Sequence, residues 1–236
     1  MENYFMKKLG IIGGIGPEAT VNYYLDIIKG YQKRIGTDKQ LPEILINSIN
    51  MYDMFDMLDQ GEYQLVADYL SQAANQLKQS GADFGLMCGN TPHIVFSTIQ
   101  NQSKLPLLSI VQTSLDRAKA LGLHKLGLLG TKFTMQNHFF SQPFINAGIQ
   151  ISLPDSQSQA FIHQKIVDEF ENGIIKGETK KQLLKIINAM IQEKDLDGII
   201  LGCTELPLII NKTDLSVVIL DIAQIHIESA IDHILS

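Results

Sequence analysis

The residues of this 236-residue chain best suited to chemistry are its two cysteines, Cys88 and Cys203. Each ends an apolar run and is followed at once by small polar residues, in FGLMCGNT at 84–91 and in GIILGCTE at 198–205. This pattern is typical of the carboxyl end of a buried parallel strand, where α/β proteins place their functional loops. A lone buried cysteine is usually a small core hydrophobe, but the same design at both cysteines favours a functional pair of thiols.

Three kinds of chemistry are open to these thiols. A zinc site is disfavoured because no CxxC motif or histidine cluster accompanies them, and His93 is the one histidine close to Cys88 in the sequence. A single nucleophilic Cys88 with His93 as its base would leave Cys203 without a role. In the third, one thiolate removes a proton from a carbon and the opposite thiol returns one to the other face. A thiol suits this acid/base exchange because its ordinary pKa of about 8.5 keeps both forms accessible near neutrality.

A glycine-rich turn, GIGPEA at 14–19, follows the strand-like segment LGIIGG at 9–14. The turn matches the GxGxxG/A fingerprint of dinucleotide-binding proteins, but no acidic residue stands clearly at the end of the second strand, and Asp53 is the nearest. The preferred alternative is a tight turn whose backbone N–H groups approach a small anion such as a substrate carboxylate.

The second half of the sequence repeats the order of the first. LGLLGT at 126–131 matches LGIIGG at 9–14, and Cys88 follows Gly13 by 75 positions (88 − 13) whereas Cys203 follows Gly130 by 73 (203 − 130). We therefore predict an α/β fold of two similar βαβ-type halves with parallel sheets, which would put both cysteines at one cleft if the halves face each other. The predicted domains are residues 1–107 with 218–236, where a C-terminal helix returns, and residues 108–217.

Local patterns predict the elements that would position these loops. A helix from about Pro17 to Gln32 is expected to bury Val21, Tyr24, Leu25 and Ile28. A second amphipathic helix is predicted over 61–80, a strand over 105–111, and a helical region over 160–193 with an interruption near 173–177.

Composition narrows the class of protein. Hydrophobic residues make up 45% of the chain, charged residues make up 19%, and the formal net charge is −6. An acidic chain of this kind is not expected to bind nucleic acid or an anionic membrane surface. The start of the sequence has no apolar run of signal-peptide length, so reduced thiols and a cytoplasmic location are expected.

The motifs together resemble the aspartate/glutamate racemase family of cofactor-independent amino-acid racemases. The matching segments lie in the family's order over nearly the whole chain: GIIGGIGPEAT at 10–20, MCGNTPH at 87–93, LGT at 129–131 and LGCTELP at 201–207. The cysteine segments are the specific part of this match, since the glycine turn alone would be weak.

The resemblance implies two similar Rossmann-like α/β domains with parallel sheets in pseudo-twofold relation, with the active site in the cleft between them. It implies a homodimer that acts on a small amino-acid substrate with no pyridoxal phosphate and no metal. Cys88 and Cys203 would form the acid/base pair, and the substrate-binding residues would be Ile15, Asn90, Thr91, Thr131, Thr204 and Glu205. Asn90 alternatively caps the following helix, Thr131 is alternatively a turn residue, and Glu205 alternatively braces its loop. Hydantoin racemases and maleate isomerases are related alternatives, and a dinucleotide-binding protein is an alternative of another class.

One feature of the sequence departs from the pattern expected of an aspartate-selective member. Such a member should present a basic side chain to the distal carboxylate of the substrate, but residues 47–58 contain no arginine, and the chain has two arginines, Arg34 and Arg117. Lys165 and Lys176 are the candidates in the second half. The reaction type is therefore better specified by the sequence than the substrate side chain.

Overall fold

The computed structural model of the chain describes residues 6–236 and divides into two compact units. The first unit extends to Ile110 and includes His226–Ser236, and the second unit is Val111–Ile225. The chain thus passes from the first unit to the second after Ile110 and returns after Ile225, whereas the boundaries expected from the sequence were 107/108 and 217/218. In the described part of the chain, no helix combines the length and the apolar character needed to cross a membrane.

The first unit is built on a four-stranded parallel sheet of order β2-β1-β3-β4. Its strands are β1 (Leu9–Gly13), β2 (Ile44–Ser48), β3 (Phe84–Met87) and β4 (Leu107–Leu108). Its helices are α1 (Pro17–Ile35), α2 (Met51–Asp59), α3 (Tyr63–Gln79), a 3-10 helix (Thr91–Val95) and α4 (Phe96–Gln102), with α10 (Ile222–Ile234) joining from the end of the chain.

The second unit contains a sheet of the same order, β6-β5-β7-β8, and all of its strand pairs are parallel. Its strands are β5 (Lys125–Leu129), β6 (Gln150–Ser152), β7 (Gly198–Leu201) and β8 (Val218–Asp221). Its helices are α5 (Ile110–Ala120), α6 (Lys132–Gln136), α7 (His138–Asn146), α8 (Ser156–Asp168), α9 (Gly177–Lys194) and two 3-10 helices (Phe170–Asn172 and Leu206–Leu208). The predicted α/β fold with a repeated parallel sheet is confirmed.

The central strands are apolar because both faces of each sheet are covered. All residues of β1, β3 and β7 are buried. Helix α3 covers β1 closely, since a Cβ added to Gly10 would lie 3.1 Å from the Ala82 side chain and 3.2 Å from that of Leu77. The cysteine-bearing ends of β3 and β7 are thus held in the centre of their sheets.

The predicted buried face of α1 is wrong. Val21, Tyr24 and Leu25 are exposed, and the helix instead buries a face that contains Tyr23, Ile27 and Tyr31. Apolar periodicity could not separate the two faces, because each carries aromatic and aliphatic side chains at helical spacing. The buried face is the one whose Tyr23 hydroxyl has a polar partner inside the protein, His226.

Two strand predictions also need correction. The strand expected over 105–111 is confined to the two residues of β4, because the chain already turns into α5 at Ile110. Strand β8 was not predicted from the sequence, although its apolar residues follow a polar turn at 211–214 in the usual manner. The interruption of the helical region near 173–177 is confirmed, since α8 ends at Asp168 and α9 begins at Gly177.

Candidate active site

Cys88 is fully buried immediately after β3, and its sulfur is not in a disulfide. Its N–H donates to the carbonyl oxygen of Ile12 on the neighbouring β1, at 3.1 Å. The thiol therefore sits at the carboxyl end of the first sheet, where the loops after β1 and β3 meet. This is the edge of a parallel sheet at which α/β proteins bind their ligands.

Three of the predicted site residues are brought to this edge. A Cβ added to Gly89 would lie 3.0 Å from the Ile15 carbonyl oxygen, so the glycine turn and the Cys88 loop are in direct contact. Asn90 is buried, with 7% of its surface exposed, and Thr91 opens the 3-10 helix. The side chain of Asn90 makes no capping hydrogen bond to that helix, which removes the simple structural explanation for it.

Thr20, in the first turn of α1, is a neighbour of Cys88 that was not among the site residues predicted from the sequence. Its hydroxyl oxygen accepts a hydrogen bond from the Gly14 N–H at 2.9 Å and donates one to the Gly16 carbonyl oxygen at 3.1 Å. Burial raises the pKa of the Cys88 thiol strongly, and a hydrogen bond with the Thr20 side chain offsets part of that rise. Position 20 would have been found by asking which residue in the first turn of α1 points back to the strand ends.

Cys203 has the corresponding place in the second unit, two residues after the end of β7. The preceding Gly202 N–H donates to the Leu129 carbonyl oxygen of β5 at 2.7 Å. Only 9% of Cys203 is exposed. The strand β7 pairs with β5 as β3 pairs with β1, so both cysteines follow the same strand of the repeated sheet.

The Cys203 thiol is hydrogen-bonded to a carboxylate. Its sulfur donates to Glu205 Oε2 at 2.8 Å, and the Thr204 hydroxyl donates to Glu205 Oε1 at 2.8 Å. Burial raises the pKa of Cys203 well above the ordinary value, and the negative charge of Glu205 raises it further. Glu205 therefore stabilises the protonated form of this thiol.

Glu171 is a second carboxylate whose charge affects the Cys203 thiol. The sequence did not indicate it. Burial raises the pKa of Glu171, and the charge of Glu205 adds to the rise. Glu171 also contributes to the raised pKa of Cys203. It lies in the short 3-10 helix between α8 and α9, where no sequence motif marks it.

Thr131 follows β5 and is the N-cap of α6. Its hydroxyl oxygen accepts from the Thr134 N–H at 3.3 Å and lies 3.4 Å from the Thr134 hydroxyl. The end of β5 touches the Cys203 loop, since a Cβ on Gly130 would lie 3.3 Å from the Gly202 carbonyl oxygen. Thr131 thus caps α6 at a position next to the loop of the second thiol, a role that differs from the turn residue named as its alternative.

The two candidate lysines of the second unit share one partner. Lys165 Nζ and Lys176 Nζ bond to Glu169 Oε1 at 2.7 and 3.2 Å, and the Thr179 hydroxyl donates to Glu169 Oε2 at 2.7 Å. Hydrogen bonds from Lys165 and Thr179 lower the pKa of Glu169 to about 2. Neither lysine is a free cation.

His93 does not fit the role of a base for Cys88. It is buried, and its Nε2 accepts a hydrogen bond from the Ile110 N–H at 3.2 Å. Burial and the neighbouring His226 lower its pKa to about 3. Among residues 6–236, no group of three or more His, Cys, Asp and Glu side chains is arranged to hold a metal ion.

The chain is similar in sequence to known racemases. The family model for Asp/Glu/hydantoin racemases matches residues 12–230. The broad-specificity amino-acid racemase RacX of Bacillus subtilis is 25% identical over 219 residues, which cover 90% of this chain and 92% of RacX.

Solved structures agree in fold over nearly the whole chain. An aspartate racemase homologue from Pyrococcus horikoshii OT3 is 32% identical and superposes with a TM-score of 0.88, covering 98% of this chain and all of that one. A Yersinia pestis protein provisionally named an Asp/Glu racemase is 33% identical with a TM-score of 0.92 and the same coverage. The chain belongs to the Asp/Glu/hydantoin racemase family, a family of isomerases.

Proposed function

We propose that this protein is a cofactor-independent amino-acid racemase in which Cys88 and Cys203 act on opposite faces of the substrate α-carbon. The observation that carries the proposal is the equivalence of the two thiols. Each is free and buried and follows the same central strand in its own copy of the repeated sheet. A protein that used one nucleophilic cysteine would have no need of the second in the equivalent place.

The reaction needs two proton transfers and no net change in the substrate. The thiolate of one cysteine takes the α-proton, and the electron pair of the broken C–H bond stays on the α-carbon and its carboxylate. The thiol of the other cysteine then gives its proton to the opposite face, where a new C–H bond forms. The charge has moved from one sulfur to the other, so the enzyme is ready for the opposite enantiomer.

Burial of the thiols has a catalytic consequence in this scheme. Raised pKa values mean that a thiolate, once formed, is a stronger base than one in water. The same burial disfavours the thiolate at rest, so the site needs groups that hold protons in defined places. Glu205 is such a group, because its Oε2 accepts a hydrogen bond from the Cys203 thiol at 2.8 Å and so keeps the proton on the sulfur.

The proposed substrate-binding groups belong to the loops that carry or adjoin each thiol in its own unit. Asn90, Thr91, Thr131 and Thr204 supply amide and hydroxyl groups for the α-carboxylate and ammonium, and Ile15 lines the pocket through the glycine turn. Glu205 was assigned to this set from the resemblance, but its two oxygens bond Cys203 and Thr204. We therefore propose that it serves the thiol rather than the substrate.

Aspartate and glutamate are the first substrates to be tested, followed by a broader range. A distal carboxylate would have to share a cation with Glu169, because both lysines of this region already bond to it. A lysine ammonium has three donors, so Lys165 has donors left for a second carboxylate. The similarity to a broad-specificity racemase supports extending the panel to uncharged and basic amino acids and to a hydantoin.

The test is to incubate the reduced protein, with no added cofactor, with single enantiomers of this panel and to separate the products by chiral chromatography. Racemisation of at least one amino acid is expected. Cys88→Ala and Cys203→Ala, each shown to be folded by circular dichroism, should each lower kcat by at least about a thousandfold, the loss typical of removing a catalytic acid or base. Absence of racemisation with every amino acid, or inversion by either alanine variant at near the unsubstituted rate, would contradict the proposal.

A further inference from the structure

Two buried histidines in the first unit take no part in the proposed proton transfer. His93 is 4% exposed and His226 is not exposed at all, and their rings meet edge to face with centroids 6.2 Å apart. Burial lowers the pKa of His226 to about 4, so both imidazoles are neutral near neutrality. Placing two neutral imidazoles together in a core costs free energy unless their nitrogens are hydrogen-bonded.

The hydrogen bonds of His226 define its tautomer. Nε2 lies 3.2 Å from the Leu108 carbonyl oxygen, and because a carbonyl can only accept, Nε2 carries the proton. Nδ1 is then an acceptor, and it lies 3.1 Å from the Tyr23 hydroxyl, which donates to it. In His93 the roles are reversed at Nε2, which accepts from the Ile110 N–H.

These bonds hold the two segments by which the chain leaves and re-enters the first unit. The outgoing segment passes through Leu108 and Ile110, and the returning segment begins at His226. One histidine binds the carbonyl of the outgoing segment and the other binds its N–H. Both passages of the chain are therefore tied together at the histidine pair.

His93 connects this segment to the Cys88 loop through its place in the chain. It lies five positions after Cys88, in the 3-10 helix Thr91–Val95, where its backbone N–H donates to the Asn90 carbonyl oxygen at 3.0 Å. The bond between its ring and the Ile110 N–H thus anchors the helix that follows the Cys88 loop. Phe96 stacks on the His93 ring, with the ring centroids 5.3 Å apart.

A second route runs through helix α1. Tyr23, the partner of His226, lies one helical turn after Thr20, whose hydroxyl bonds Gly14 and Gly16 in the glycine turn. That turn meets the Cys88 loop, since a Cβ added to Gly89 would lie 3.0 Å from the Ile15 carbonyl oxygen. The contacts therefore connect, in order, the Cys88 loop, His93, the segment Leu108–Ile110, His226, Tyr23, α1, Thr20, the glycine turn and again the Cys88 loop.

We propose that His93 and His226 are positioning residues for Cys88. Through them, the position of this thiol is coupled to the segments by which the chain leaves and re-enters the first unit. The catalytic part of this inference rests on the proposed racemase function. The positioning itself is a property of the folded protein and can be measured without a substrate.

The experiment compares two substitutions that each keep one half of the His226 hydrogen bonding. In His226→Gln the side-chain amide can still donate to the Leu108 carbonyl, as Nε2 does. In His226→Asn the shorter side chain can still accept from Tyr23, as Nδ1 does, but does not reach Leu108. His233→Gln is the matched control, since His233 lies on the same helix and is exposed.

The first readout is the rate at which iodoacetamide alkylates Cys88, measured by peptide mass spectrometry with Cys203 in the same molecules as the reference. His226→Asn should change the Cys88 rate by at least about threefold relative to Cys203 and lower kcat about tenfold with KM nearly unchanged, a loss within the range that a small misplacement of a reacting group produces. His226→Gln should restore most of the Cys88 alkylation rate and most of kcat. His233→Gln should match the unsubstituted protein in both measurements.

Tyr23→Phe keeps the experiment decisive if His226→Asn does not fold. This substitution removes the hydroxyl that donates to His226 Nδ1. It should change the alkylation rate of Cys88 in the same direction as His226→Asn does. Unchanged Cys88 alkylation in folded His226→Asn or Tyr23→Phe, or an equal change at Cys203, would overturn the inference. A changed Cys88 rate in a protein that racemises nothing would leave the positioning intact and refute the proposed function alone.

Discussion

At the scale of single residues, the two thiols have equivalent positions but different partners. Cys88 has the Thr20 hydroxyl beside it, which offsets part of the rise in its pKa. The Cys203 thiol donates a hydrogen bond to the Glu205 carboxylate, whose negative charge raises the pKa of the thiol. The resting protein should therefore keep the proton on Cys203 more firmly than on Cys88. We infer that Cys88 is the thiol that ionises first.

Replacing Glu205 with Gln tests this difference. The substitution removes the negative charge beside Cys203, so the pKa of that thiol should fall, by about one pH unit or more. Because the thiolate is the form that reacts, the alkylation of Cys203 should begin at lower pH in Glu205→Gln, as followed by peptide mass spectrometry across pH.

Cys88 in the same molecules is the internal control, and its profile should not move. Glu178→Gln, an exposed carboxylate in the first turn of α9, is the matched substitution and should leave both profiles unchanged. A Cys203 profile that stays in place or moves to higher pH would mean that Glu205 does not hold the proton of this thiol.

The sequence singles out both thiols and the loop residues that follow them as candidates, because the residue types and their repeated spacing are visible in the chain. It could not assign Glu205, whose hydrogen bond to Cys203 depends on how the loop folds back over two residues. The sequence also could not predict the contacts of Thr20, Tyr23 and His226. Their partners lie up to 203 positions away, and no local pattern links them.

At the scale of elements, the glycine turn between β1 and α1 is shaped by packing within the protein. Gly14 has a positive φ of 80°, and a Cβ there would lie 2.2 Å from the Ile49 carbonyl oxygen. The Gly14 N–H is bonded to Thr20. The turn therefore holds Thr20 against the end of β1 and brings Ile15 to the Cys88 loop. These contacts explain the glycines without a dinucleotide.

Gly14→Ala should consequently be much more destabilising than the same change at Gly36. Both glycines have positive φ, but nothing lies within 4 Å of a Cβ placed on Gly36. A left-handed alanine alone costs about 1–2 kcal/mol, and the clash with the Ile49 backbone should add roughly 1–3 kcal/mol at position 14. Urea unfolding of both variants measures the difference in the free energy of unfolding, and equal losses would show that the turn can open without cost.

The elements that the sequence predicted well are those whose burial is uniform. Strands β1, β3 and β7 are buried on both faces, and α3 has one dominant apolar stripe. Predictions were wrong where two patterns competed, as on α1, or where an edge element was very short, as in β4. In those places tertiary partners decide the outcome, and periodicity carries no information about them.

At the scale of the whole molecule, the repeat places the two thiols in equivalent positions of the two units. Two units with the same strand order each end a central strand in a cysteine, so one structural solution has been used twice. The repeat was readable in the sequence from two short motifs and their spacing. The groups that tell the halves apart, Thr20 in one and Glu205 in the other, give the pair its chemical asymmetry.

The most direct test of the two-base proposal is the position of deuterium during racemisation in D₂O. With two thiols on opposite faces, the base that removes the α-proton is not the acid that returns one. At early conversion of a single enantiomer, mass spectrometry after chiral separation should find deuterium at Cα in nearly all of the product and in very little of the recovered substrate. Deuterium entering the recovered substrate as fast as the product would show that one group serves both faces, and would contradict the account.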